Sequence, residues 1–80
     1  MNTALSGRMV KPLEVLHKSL NNRVMVELKG NRGYRGVLNG YDIPHMNLVL
    51  KNADEIIDGN VVARRETVIV RGDNIVYISP

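Results

Sequence analysis

Residues Arg23–Asp42 read RVMVELKGNRGYRGVLNGYD, and this stretch decides the fold. Val24, Val26 and Leu28 alternate with Met25, Glu27 and Lys29, the period of two that turns one face of a strand toward a core. Gly30, Asn31 and Gly33 then supply a turn, because Gly and Asn tolerate the positive φ that tight turns need. The returning segment, Tyr34–Asp42, is interrupted by Gly36 and Gly40. Glycines inside a strand mark strong bending or a close backbone approach. The seed of the fold is therefore a bent hairpin.

Upstream the period is helical. In Lys11–Asn22, KPLEVLHKSLNN, an apolar stripe of Leu13, Leu16 and Leu20 recurs at helical spacing. Pro12 suits the first turn, Glu14 its positive end and Lys18 its negative end, with Asn21 and Asn22 as terminators. Residues 1–10 show no periodicity and are expected to form a flexible arm. Downstream, Met46–Ile57 reads as a third strand, Asp58–Asn60 as a hairpin turn and Val61–Val70 as a fourth strand. A turn over Arg71–Asn74 leads into a fifth, ending at Ser79. The expected fold class is mainly β: a short N-terminal helix capping a strongly bent five-stranded antiparallel sheet, or small open barrel, in one domain over residues 11–80.

The last two strands contain TVIV and NIVYIS, rich in β-branched residues and without Lys or an internal Pro. An exposed edge of that kind invites pairing with another chain. Closure within one chain and pairing between subunits both remove it, and the pattern favours pairing, with a ring if the rotation closes.

Composition narrows the function classes. The chain has 80 residues, 44% of them hydrophobic, with no Cys, Trp or Phe. Disulfides and thiolate metal sites are excluded, and no apolar run has the length of a membrane span. A cytoplasmic location without membrane association is expected. The net charge of +3 leans modestly toward polyanionic partners.

The chemistry-bearing residues gather in two turns. Asp42, His45 and Asn47 fall within YDIPHMN, and Arg71, Gly72 and Asp73 form RGD. No Ser or Thr near His45 carries a nucleophile signature, so no catalytic residues and no enzyme are expected. His17 and His45 lie far apart in sequence without Cys, which leaves no metal set and no expected cofactor. The RGD tripeptide is explained as a turn between two β segments, and an adhesion role is set aside. A planar ligand fits better. His and Arg present flat faces for a nucleobase, Asn offers a donor and an acceptor to a base edge, and Asp beside Arg fixes the guanidinium plane. All of this requires the two turns to meet in space.

These residues carry a resemblance. VMVELKGNRGYRGVLNGYDIPHMNLVLKNADEI and VIVRGDNIVYISP resemble the first and second motifs of the Sm and Sm-like (LSm) proteins, archaeal members above all. The likeness covers roughly Lys11–Pro80. It implies the bent five-stranded barrel capped by a helix, and a homo-oligomeric ring, usually of seven subunits, joined through the last two strands. It also implies binding of uridine-rich single-stranded RNA near the pore, with other RNA-processing proteins as further partners. Carried over by position, His45 and Arg71 sandwich the base and Asn47 bonds its Watson–Crick edge. Asp73 holds the pocket, backbone groups around Gly72 add contacts, and Asp42 supports the loop. The family spacing is Asp, one residue, then His-Met-Asn; here both Ile43 and Pro44 intervene. A second RNA contact on the helix face falls on Lys11, His17 and Tyr41. The alternative is a ring that organises protein partners with weak or no sequence-selective RNA binding.

Overall fold

A computed structural model of the chain describes residues 9–80. Most of the arm expected over residues 1–10 lies outside the described residues. Helix α1 spans Pro12–Lys18, followed by strands β1 (Arg23–Leu28), β2 (Arg32–Tyr41), β3 (Leu48–Ile57), β4 (Asn60–Val70) and β5 (Ile75–Ser79). A single 3-10 turn, Gly72–Asn74, separates the last two strands. The five strands form one antiparallel sheet in the order β4-β3-β2-β1-β5. The expected fold class is what the chain adopts.

The alternation read in the sequence places the core. Val24, Val26 and Leu28 are buried on the concave face of β1, where Leu38, Leu48, Leu50, Ala53 and Val70 meet them. Fully burying aliphatic side chains of this size stabilises by about 1.5–3 kcal/mol each. The bend has visible causes: the β2–β3 register shifts between Arg35 and Val37, across Gly36, and again between Leu38 and Gly40, across Asn39. Each such shift kinks a strand and tightens its twist. The β3–β4 turn is the tight hairpin that its residues predict, with φ of 51° at Asp58 and 82° at Gly59.

Four expectations need correction. Gly33, expected in the first turn, lies inside β2 opposite Glu27, and the turn takes its positive φ at Gly30 and Asn31. The helix stops at Lys18 rather than running toward Asn22, because the Ser19 hydroxyl donates back to the Val15 carbonyl at 2.9 Å and Asn21 turns to a φ of 68°. The Asn21 N–H then donates to the Leu38 carbonyl at 2.7 Å, tying the connection to β2. Leu13 does not join the core stripe: it stays exposed, since the short helix meets the core through Leu16, and Leu20 packs on the core from the connection after it. Finally β3 begins at Leu48, not Met46, because Met46 sits in the preceding turn with a φ of 58°.

The strands flagged by their β-branched runs, β4 and β5, are the two ends of the strand order. Among the described residues they are not paired with each other, so the sheet is not closed within one chain. No helix among the described residues is long and apolar enough to cross a membrane.

Candidate nucleic-acid interface

β2 ends at Tyr41, and the chain turns through Asp42–Asn47 before entering β3. Two main-chain bonds close this turn: the Asp42 N–H donates to the Asn47 carbonyl at 3.1 Å, and the Met46 N–H to the Asp42 carbonyl at 3.0 Å. The additional residue is taken up inside it, where Ile43 is left exposed ahead of a cis peptide bond to Pro44. The lengthening does not detach Asp42. Its carboxylate accepts from the Asn47 N–H at 3.3 Å and from Asn47 Nδ2 at 3.1 Å.

The second turn arrives from β4. The Gly72 N–H donates to Asn47 Oδ1 at 2.9 Å, joining residues 25 apart in sequence. Gly72 has to be glycine here: a Cβ at this position would collide with the His45 carbonyl and stand 2.8 Å from that of Met46. The backbone of one turn thus rests directly on the backbone of the other. Arg71 and Asp73 flank this junction, with Arg71 Nη2 3.0 Å from Asp73 Oδ2. Both are largely exposed, so the pair adds little stability, but it restricts where the guanidinium can lie.

The chemical consequence concerns the Asn47 amide. Its orientation is fixed from both ends, oxygen toward Gly72 and nitrogen toward Asp42. One lone pair on Oδ1 and one N–H on Nδ2 remain for a ligand. His45, Asn47, Arg71 and Asp73 line a single pocket together with Ile69. The structure therefore assembles all six residues expected from the two motifs: four in the pocket, and Asp42 and Gly72 clamping Asn47. Ile69 was not expected. It reads in sequence as one more strand residue, and only its 72% exposure marks it.

The helix-face set assembles in part. The Tyr41 hydroxyl lies 3.3 Å from His17 Nδ1. Lys11 stands at the start of α1, six residues before His17 and so about 9 Å along the helix axis. No side-chain hydrogen bond or ion pair among the described residues joins it to the other two.

With this geometry in hand, the family model for the LSM domain matches residues 14–80. The chain belongs to the LSM domain family. The snRNP Sm-like protein of Methanosarcina acetivorans is 56% identical over 70 residues, 88% of this chain and 96% of that one. That of Archaeoglobus fulgidus is 54% identical over 70 residues, 88% of this chain and 90% of that one. Among solved structures, the Sm protein of Pyrococcus abyssii in complex with a uridine heptamer superposes with a TM-score of 0.84. It is 49% identical, over 89% of this chain and 99% of that one. A heptameric archaeal Sm protein gives a TM-score of 0.76 at 45% identity, over 84% of this chain and 96% of that one. This LSM chain thus shares most of its length with proteins solved as a heptamer and with a uridine heptamer.

Proposed function

We propose that the protein is a non-catalytic, cytoplasmic RNA-binding subunit, a single LSM domain over residues 11–80 that assembles into a homo-oligomeric ring of seven. The ring binds uridine-rich single-stranded RNA in pockets formed by the Asp42–Asn47 and Arg71–Asp73 turns. The observation that carries this reading is the bond from the Gly72 N–H to Asn47 Oδ1, which joins the turns and orients the amide. The Asn47 N–H left free donates to uracil O4, and the lone pair left free accepts from uracil N3–H. Cytosine presents a donor and an acceptor in the reverse places, so the fixed amide rejects it. His45 and Arg71 supply flat surfaces to either side of the base.

One stacked base contributes only about 1–3 kcal/mol, so a single subunit binds weakly. A ring multiplies this, because each further nucleotide of the same strand binds at high effective concentration. Seven copies also bring roughly +20 of charge around one opening, which draws in phosphate in a salt-dependent way. The Sm protein of Pyrococcus abyssii, solved with a uridine heptamer, and the heptameric archaeal Sm protein support both parts of the reading.

A filter-binding series tests it. Arg71→Ala removes a stacking surface as well as a charge and weakens oligo(U) binding well beyond Lys18→Ala, which removes only a remote charge. Equal losses in the two variants contradict the pocket and favour a ring that organises protein partners.

A further inference from the structure

The convex face of the sheet, turned away from the core, carries a set of cations that the base slot does not use. Val24, Val26 and Leu28 point into the core, so Arg23 and Met25 point away from it. The strand register carries these two positions across the sheet as neighbouring rows. One row is Arg23–Val37–Lys51–Thr67, and the next is Ser79–Met25–Arg35–Asp54–Arg64. Four successive strands thus present one cation each: Arg23 on β1, Arg35 on β2, Lys51 on β3 and Arg64 on β4. They alternate between the rows. Strands lie about 4.8 Å apart, so cations of the same row stand about 10 Å apart.

Little on this face neutralises them. None of the ion pairs among the described residues includes Arg23, Arg35 or Lys51, and Lys51 Nζ donates to the Thr67 hydroxyl at 3.1 Å. Arg64 is engaged through one edge: its Nε donates to Asp54 Oδ1 at 3.0 Å, while 64% of the side chain stays exposed. Asp54 therefore offsets one of the four charges. Glu27 lies a row further on, opposite Gly33 and Tyr77, and Glu66 stands in neither row. Met25 and Val37, both half-buried, fill the space between the cations. At the β1 end, Arg23, Met25, Arg35 and Ser79 help to line a shallow cavity of about 190 Å³.

These features select the ligand. Cations spaced over aliphatic side chains, with no aromatic ring in either row, suit phosphate groups and offer no means of reading a base. No exposed large hydrophobic stands in either row, so the face has nothing to insert into a lipid surface. The cations also continue from the base slot. Ile69, a wall of that slot, pairs with Val49 in the row beside Lys51 and Thr67, two residues or about 7 Å along the strand. A strand leaving the slot over Ile69 meets Lys51 first and the arginines after it.

We infer that Arg23, Arg35, Lys51 and Arg64 form a track across the convex face that holds the phosphodiester backbone of RNA running on from the base slot. The inference rests on the uridine reading of that slot and extends it to the nucleotides outside. The slot selects the uridines; the track holds the flanking chain whatever its bases.

The test compares a uridine heptamer with the same heptamer flanked on each side by about ten adenosines, using the wild type and Arg23→Gln/Arg35→Gln/Lys51→Gln. Arg64 is kept because Asp54 pairs with it. The flanks are expected to tighten wild-type binding. The triple variant is expected to lose about tenfold for the flanked RNA while holding the bare heptamer within about twofold. Its plot of log affinity against log salt becomes shallower for the flanked RNA, by about 0.7 for each phosphate no longer neutralised. Arg23→Lys/Arg35→Lys keeps the charges and retains most of the affinity, and light scattering shows an unchanged mass throughout. A triple variant that matches the wild type in affinity and salt slope for the flanked RNA overturns the inference. So does an equal loss for both RNAs, or a loss of the ring mass, since the cations then serve the slot or join subunits. Binding of oligo-glutamate by the wild type, with no gain from the flanks, also overturns it and assigns the face to an acidic protein segment. Arg71→Ala separates the two readings, because it weakens both RNAs. If Arg71→Ala leaves the heptamer untouched, the slot reading fails, and the effect of the flanks still decides the track.

Discussion

Asn47 is the residue on which the site turns, and two others decide what it can do. An unrestrained amide offers its oxygen and nitrogen in either order and matches uracil one way and cytosine the other. Asp42 and Gly72 remove that freedom by taking the nitrogen and the oxygen respectively. Asp42→Ala releases the nitrogen end, and the preference for oligo(U) over oligo(C) is expected to shrink by about two- to fivefold in competition binding. Gly72→Ala acts through packing instead. The added carbon meets the His45 carbonyl, a backbone atom that cannot swing aside, so the two turns separate. Stability is expected to drop by about 1–3 kcal/mol in thermal or chemical denaturation, with RNA binding falling in parallel. At this scale the sequence revealed residue types but not their meeting. His, Asn, Arg and Asp announce a planar-ligand site by their chemistry, whereas the bond across 25 residues has no periodic signal. Only the likeness of both motifs to a family pointed to it.

The elements were more readable, because each has a local cause. The period of two in β1, the glycine-marked bends of β2 and the Asp58-Gly59 turn all act over a few residues, and all three are found where the pattern put them. Boundaries were missed where a side chain competes with the backbone. Ser19 ends α1 early through its hydroxyl, and Met46 leaves the extended conformation to make room for the Asp42–Asn47 turn. The edges carry the functional consequence of the element scale. β4 and β5 end the strand order, and β5 exposes Val76 and Tyr77. Charges on such an edge prevent strand addition without touching the core. Val76→Glu/Tyr77→Glu is therefore expected to lower the mass seen by light scattering to that of small species while far-ultraviolet circular dichroism keeps its β signature. A ring-sized particle in this variant contradicts pairing through β5.

For the whole molecule, weak pockets and assembly explain each other. A subunit of 80 residues offers one slot, one clamped amide and a modest positive charge. None of these gives tight binding alone. Repetition around the proposed ring would add their energies along one strand, and β4 and β5, at the two ends of the sheet, are the edges such a ring would pair. Binding and assembly are thus expected to fail together in the β5 edge variant, but separately in the slot variants, which leave the mass unchanged.

The most direct test of the central claim is fluorescence anisotropy of labelled oligo(U) and oligo(C) with the wild type and Asn47→Ala, each checked for mass. The fixed amide predicts that the wild type prefers oligo(U) by at least about fivefold, the lower end expected for a paired hydrogen bond to a base. It predicts that Asn47→Ala binds both oligonucleotides weakly and alike, as an intact ring. An Asn47→Ala ring that keeps the wild-type preference for oligo(U) contradicts the claim.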